Sequence, residues 1–246
     1  MGLYQEVFER REVKYLLNEK QFVGLMNRLR GYAVVDEYGD TDILNIYFDT
    51  PDYLLIRTSL DKPVYKEKLR LRTYGTPVDD TNSFIEIKKK FDGIVYKRRI
   101  SAPYRKALNY LTNKSGLEVA YNNRQIASEI AAFRNDYTGL EPKMMVSYKR
   151  IALVGIEDPG LRITIDRNIC WRTDRLDLAY GGDGRDILEK GQYLMEIKIA
   201  DAMPIELSAI LSDLAIFPVS LSKYGKGYMD MMKLKASKSS KIILVA

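Results

Sequence analysis

The chain has 246 residues, 46% hydrophobic and 29% charged, which is enough apolar content for one large folded domain and argues against wholesale disorder. Its 39 Lys and Arg against 33 Asp and Glu leave a net charge of +6, a mild excess that favours an anionic partner without naming it. With no histidine and one cysteine, Cys170, the chain has no histidine-based acid–base chemistry, no phosphohistidine, no histidine metal ligand and no internal disulfide.

Taken in order, Phe8 to Tyr15 alternates as a strand does. Asn18 is an expected N-cap for a helix over 19–30, with Phe22, Leu25, Met26 and Leu29 on one face. Strands follow at 42–49 and 64–74, separated by a turn or short helix opened by Thr50-Pro51-Asp52. Asp92-Gly93 is a hairpin signal between strands 83–91 and 94–101. Helices are expected over 103–111, 123–135, 204–214 and from Lys223 to Lys235, and strands over 143–154, 161–170 and 192–200. The fold class is therefore α+β. About eight antiparallel strands can close into a barrel that holds side chains or one small ligand, with helices packed outside. One domain over 1–236 and a tail over 237–246 are expected, the apolar Ile242–Ala246 reading as an edge strand or frayed end. The N-terminal residues lack a secretory apolar core, and no apolar run approaches the ~18–20 residues that span a bilayer. Together with the lone cysteine, this points to a cytoplasmic protein.

Basic residues recur at alternate positions of these strands. Lys68, Arg70 and Arg72 share one face of Lys66–Arg72, with Leu69 and Leu71 on the other. Lys14, Lys88, Arg98, Arg150, Arg162 and Lys198 occupy comparable positions on other strands. A solvated sheet face would explain one such strand. Several, each with an apolar reverse face, indicate a charged interior whose Leu and Ile pack outward against helices. Arg forks suit phosphate oxygens bidentately, and Lys adds mobile point charges. At the hairpin, Arg98 is taken as the inward residue, with Lys97 and Arg99 competing, since a one-residue slip exchanges them.

Carboxylates accompany these rows. Glu12 precedes Lys14 by two residues, Glu86 precedes Lys88, and Glu196 precedes Lys198, so each pair shares a strand face. Asp166, four positions after Arg162, is a fourth candidate. With histidine absent, oxygen ligands favour Mg²⁺ or Mn²⁺, completed by substrate phosphates. The competing explanation is a same-face ion pair of little energetic weight. Ser220–Gly227, containing Lys223 and Lys226, reads as a phosphate-binding turn entering a helix, although it lacks Walker A spacing. Most of the 18 tyrosines lie among apolar residues and read as packing. Nucleic acid is disfavoured, because the basic residues alternate inward and a duplex cannot enter a barrel of about eight strands.

These segments resemble the VTC domain, the polyphosphate polymerase family within the CYTH-like triphosphate tunnel metalloenzymes. The resemblance runs from about Arg10 to Met232, over Glu12-Val-Lys14-Tyr15, Ile46–Thr50, Lys68–Arg72, Phe84–Lys88, Tyr148-Lys-Arg150, Leu161–Asp166, Leu194–Lys198 and Ser222-Lys223-Tyr224. It implies an eight-stranded triphosphate tunnel in which Lys14, Arg70, Arg72, Lys88, Arg150, Arg162 and Lys223 contact phosphates. It also implies that Glu196 holds a divalent metal, usually Mn²⁺. The expected activity is transfer of the terminal phosphoryl of ATP to a growing polyphosphate. A triphosphate or tripolyphosphate hydrolase and a non-catalytic polyphosphate- or inositol-phosphate-binding module are the alternatives. The broader group opens with Glu-x-Glu-x-Lys, whereas this chain reads Arg10-x-Glu12-x-Lys14, which favours fewer metal ligands and more chain-gripping cations. Yeast relatives work beside a membrane channel. Export of a product here would need a separate membrane protein, placing this chain at the inner face of a membrane. The oligomeric state is left open.

Overall fold

The computed structural model describes residues 11–92, 94–113, 116–118, 121–199 and 202–243. Arg10, the start of the first expected strand, Gly93 of the hairpin and the last three residues of the tail lie outside this set. Strand β1 (Arg11–Asn18) runs directly into helix α1 (Glu19–Arg28). Asn18 caps α1: its side chain accepts from the Gln21 amide, while the Gln21 side chain accepts from the Asn18 amide. Next come β2 (Ala33–Asp49), α2 (Leu54–Leu60), β3 (Tyr65–Tyr74), β4 (Asn82–Phe91) and β5 (Ile94–Pro103). The chain continues through α3 (Tyr104–Asn113), α4 (Arg124–Asp136), β6 (Glu141–Gly155) and β7 (Arg162–Arg172). It ends with β8 (Arg185–Asp186), β9 (Gln192–Ile199), α5 (Ile205–Asp213), β10 (Pro218–Val219) and α6 (Lys223–Ile243).

All the strand pairings are antiparallel, in the order β10-β1-β9-β7-β6-β2-β3-β4-β5, with β8 beside β7. The eight long strands fall where strands were expected, except that β2 starts at Ala33, well before the expected start at Asp42. Among the described residues their hydrogen-bonded ladder does not close, however: β5 and β10 are its two ends. The outer edge of β1 is taken by β10 at Lys14, opposite Val219, and Tyr15, opposite Pro218, which keeps these two residues from pairing with β5. The sheet curls instead. Lys88 on β4 reaches Glu12 on β1 at 3.3 Å, although β9, β7, β6, β2 and β3 lie between those strands in sheet order.

Alternation divides the curled sheet into two faces. On the convex side, Leu69, Leu71, Ile85 and Ile87 are buried against Tyr104, Ala107 and Leu108 of α3 and Ile130 and Phe133 of α4. Across the other half, Ile163, Ile165, Met195 and Ile197 pack with Leu25 of α1 and Leu207 and Leu211 of α5. Each fully buried aliphatic side chain contributes about 1.5–3 kcal/mol relative to exposure. Helix α6 departs from the expected outside packing. Its Tyr224 and Met231 join Ile43, Tyr47, Met144, Val146 and Leu194, whose alternation with cavity-lining residues puts them on the concave side. Tyr224 stacks on Tyr47 with ring centroids 4.5 Å apart. A Cβ on Gly227 would lie 2.8 Å from Met144 Sδ, so glycine permits the close approach. The helix also runs eight residues beyond the expected end at Lys235, through Ile243, and Ile242 continues it rather than forming a strand.

Candidate active site

The concave face encloses a cavity of about 1530 Å³. Its wall is ionic because the inward-facing residues of successive strands stand opposite one another. Lys14 on β1 faces Glu196 on β9, Glu12 faces Lys198, and Arg150 on β6 faces Asp166 on β7. Arg70 on β3 faces Glu86 on β4, which in turn faces Arg99 on β5.

On one side, carboxylates and lysines interleave. The Lys14 ammonium lies 3.6 Å from Glu12 and 3.4 Å from Glu196, and donates to the Leu221 carbonyl at 3.0 Å. Lys198 pairs with Glu196 at 3.2 Å. Lys223, from the first turn of α6, lies 2.5 Å from Asp166 and 3.6 Å from Glu196. Arg150 makes a bidentate contact with Asp166 at 2.6 and 2.8 Å. Burial alone would raise the Glu196 carboxyl, but Lys223, Lys14 and Lys198 overcome it and hold Glu196 well below the usual range. Asp166 is likewise lowered, because Lys223 and Arg150 outweigh its burial.

Opposite, Glu86 is clamped among cations. Arg70 Nε is 2.6 Å from it, Lys97 Nζ 2.8 Å and Arg72 Nε 3.7 Å. Burial would raise Glu86, yet Arg70, Arg72 and Lys97 hold it far below the usual range. Arg70 also donates to the Tyr47 hydroxyl at 3.2 Å, and Arg72 donates to Asn45 at 2.9 Å and to the Tyr148 hydroxyl at 3.0 Å. Tyr148 is raised by its own burial, but Arg72, Arg150 and Lys223 bring it down to about 8. Lys68 has no ion-pair partner among the described residues and donates to Ser222 Oγ at 3.1 Å. Burial, followed by the proximity of Lys14 and Lys88, lowers Lys68 to about 7.

The expected residues fall into three groups. Lys14, Arg70, Arg72, Lys88, Arg150, Lys198, Lys223, Glu12 and Glu196 line the cavity, Asp166 lies immediately behind Arg150 and Lys223, and Glu86 behind Arg70 and Lys97. Lys226 also lines it, but is held by Asp230 at 2.7 Å. Arg162 and Arg98 stand elsewhere. Arg162 shares the face of Asp166 but is exposed at the first position of β7, outside the cavity lining. Arg98 shares the parity of buried Ile100, points outward and meets Glu129 of α4 at 3.5 Å. Lys97 takes the inward position at the hairpin, while Arg99 stacks on Phe84, its guanidinium 4.7 Å from the ring centre. The sequence reading did not single out Asn45, Tyr47 or Tyr148. The available signal was parity: Asn45 and Tyr47 alternate on β2, and Tyr148 precedes Arg150 by two.

Among the described residues, no group of three or more carboxylate, cysteine or histidine side chains converges to hold a metal unaided. Glu86 and Asp166 are committed to their cations. Glu12 and Glu196 both contact Lys14, and burial together with Glu196 opposes the Lys88 and Lys14 charges that nevertheless keep Glu12 lowered. Thr164, opposite Glu196, has a buried hydroxyl with no hydrogen-bond partner among the described residues. Two carboxylates and an orphaned hydroxyl form an all-oxygen donor set suited to one hard cation, with coordination left for ligand oxygens.

The family model of the VTC domain matches residues 9–232. No curated protein matches the sequence significantly. Among solved structures, the fold is similar to a Hippeastrum protein described as a candidate adenylyl cyclase with a dominant triphosphatase activity: TM-score 0.54, 15% identity, covering 89% of this chain and 95% of that one. It is also similar to a candidate adenylate cyclase from Bacillus halodurans: TM-score 0.53, 16% identity, covering 88% of this chain and 94% of that one. Identities this low establish likeness of fold.

Proposed function

Because this chain belongs to the VTC domain family, we propose that its cavity is the active site of a divalent-metal-dependent polyphosphate polymerase using ATP. The observation that carries this reading is the ionisation of the wall. Glu12, Glu86, Glu196 and Asp166 are all held below their ordinary ranges and all contact cations. Such carboxylates are poor bases for deprotonating water, since a useful base titrates near the working pH. The end of a polyphosphate is already an oxyanion and needs no base. Arg70, Arg72, Arg150, Lys14, Lys88 and Lys97 surround the enclosed volume and would align two phosphate groups against their mutual repulsion.

Glu196 and Glu12, with the Thr164 hydroxyl, would hold the metal, Mn²⁺ or Mg²⁺. When bound, the ion supplies charge neutralisation and orientation for the transferred phosphoryl. Lys14 and Lys223 already share Glu196 with one another, so they stand ready to pass from the carboxylate to incoming phosphate oxygens. The transferred group needs positioning and charge stabilisation more than covalent chemistry, which suits a site without histidine.

Hydrolysis in the same cavity is the second reading, favoured by Lys68 and Tyr148, which titrate at about 7 and about 8 and could accept a proton from water. A metal-dependent ATP assay that separates chains from orthophosphate decides between them. Chain growth is expected, and Arg70→Ala and Glu196→Gln should each lower it about 10²–10³-fold. Wild-type release of phosphate without chains identifies the hydrolase. Tight anion binding with no product identifies a binding module.

A further inference from the structure

One part of the cavity wall differs from the rest. At the start of β3 and the end of β4, beside the turn at Asp92 that leads into β5, Lys66 stands directly opposite Lys90, and Lys68 directly opposite Lys88. Like charges facing one another across an antiparallel pair destabilise the sheet. Elsewhere on the wall cations face carboxylates, as in Arg70 opposite Glu86 and Lys14 opposite Glu196, or, like Lys88 and Lys97 facing one another across β4 and β5, each reach a carboxylate, Glu12 and Glu86. Lys62, which follows α2, joins the group, and Lys62, Lys66 and Lys90 all line the cavity. Burial, then Lys90 and Lys62, pushes the Lys66 ammonium down.

Glu67 and Asp92 also line the cavity, but among the described residues no carboxylate pairs with these lysines. Among the described residues, none of Lys62, Lys66, Lys68 or Lys90 forms an ion pair, and Lys66 donates only to the Ser59 carbonyl at 3.1 Å. Glu67, the nearest carboxylate in sequence, accepts from Tyr65 and Tyr137 at 2.7 Å each. Asp92 is exposed at the turn and has no ion pair among the described residues. The clamped Glu86 site and the Glu12–Glu196 site are thus followed, toward the rim, by a row of lysines with no anion of their own.

We propose that Lys62, Lys66 and Lys90, continuing from Lys68, form a second anion subsite that grips linear polyphosphate beyond the phosphates that the deeper Arg and Lys groups would align. This rests on the polyphosphate reading above and deepens it: the subsite would let the enzyme retain its growing chain while leaving ATP free to exchange. A single-stranded nucleic acid is the less fitting polyanion, because this stretch of wall is lined by Lys62, Lys66, Lys90, Asp92, Ile94 and Val95, with no aromatic face for a base.

The test compares affinities for tripolyphosphate, a long linear polyphosphate and oligo(dT) in the intact protein. Wild type should bind the long chain more tightly than tripolyphosphate and with a steeper salt dependence. Lys66→Met combined with Lys90→Met should reduce the ratio of long-chain to tripolyphosphate affinity about tenfold, the loss of about one charged contact. The same change should raise the melting temperature of the ligand-free protein by about 1–3 °C, because like-charge repulsion is removed. Lys90→Glu, which places a carboxylate opposite Lys66, should fold well and reduce the ratio further. An unchanged ratio in variants that melt no lower than wild type overturns the subsite, as does oligo(dT) binding as tight as that of long polyphosphate. Wild type that binds tripolyphosphate and long chains equally overturns the subsite alone. Wild type that binds neither overturns the polyphosphate reading with it.

Discussion

Individual side chains in this cavity are set by strand parity and by which partner neutralises them. The hairpin run Lys97-Arg98-Arg99 shows how a site residue escapes sequence reading, because three consecutive cations offer no apolar phase of their own. The phase was available one residue on, where buried Ile100 forces Arg98 outward and Lys97 inward. Arg98→Ala should therefore leave polyphosphate affinity within about twofold, while Lys97→Ala weakens it about tenfold through a lost charge-assisted contact. Equal losses in titration calorimetry would mean that parity is wrong. Lys68 makes a second prediction. Burial, then Lys14 and Lys88, hold its pKa at about 7, below the ordinary lysine value. An arriving phosphate favours the ammonium form, so binding should take up a proton above neutral pH and weaken as pH rises from about 7 to 9. Calorimetry in buffers of different ionisation enthalpy measures that uptake, and Lys68→Met should abolish it. For the ligand-free protein the sign is opposite in effect: between about 7 and the unfolded lysine value, the unfolded chain binds the extra proton, so this residue favours folding more as pH rises.

Elements were legible wherever one face was apolar and the other charged over several alternations, which covers the eight long strands, β2 only from Asp42 onward, and the capped start of α1. The two-residue strands β8 and β10 carry no period and could not be read. That left closure misjudged, because β10 occupies part of the edge that a closed barrel would need. Helix amphipathicity likewise shows that α6 has a buried face but not which side of the sheet buries it. Its glycines were the cue. Gly227 lies against Met144 and Trp171, and a Cβ on Gly225 would be 3.1 Å from Leu60 of α2. Gly227→Ala should destabilise the fold by about 1–3 kcal/mol through overpacking, despite the better helix propensity of alanine. Chemical denaturation measures this, and a stabilised variant would mean that α6 sits farther from the sheet. Buried Asp49 anchors the same region, accepting from the amides of Thr50, Leu55 and Ile56 and from the Tyr224 hydroxyl at 2.8 Å. It ties the start of α2 to the turn that carries Lys223.

At the scale of the whole molecule, the sheet is a scaffold that turns unfavourable charge density inward and covers it with two apolar layers outside. Ligand-free, the cavity is held together by depressed carboxylates. Their folded pKa values lie below the ordinary 4.5 and 3.8 of Glu and Asp, so the stability they lend is present above those values and is lost as pH falls below them. Melting temperature should therefore fall steeply below about pH 4.5, and tripolyphosphate should raise it at neutral pH by mass action. The sequence made the charged interior legible through parity. It could not show that Glu86 and Asp166 are locked between cations, because that depends on strands and an α6 turn far apart in the chain. Glu196 too contacts Lys14, Lys198 and Lys223, so what favours Glu12 and Glu196 as the proposed metal carboxylates is the orphaned Thr164 hydroxyl opposite Glu196, and the proposed acceptor is an already ionised phosphate end.

The most direct measurement of that claim is phosphorus NMR of the purified protein with ATP and Mg²⁺, following the reaction to completion. The account predicts growth of internal polyphosphate signals as ATP falls, with orthophosphate a minor product and chain growth about 10²–10³-fold slower in Glu196→Gln. Orthophosphate as the sole product, or chain growth undiminished in Glu196→Gln, would contradict it.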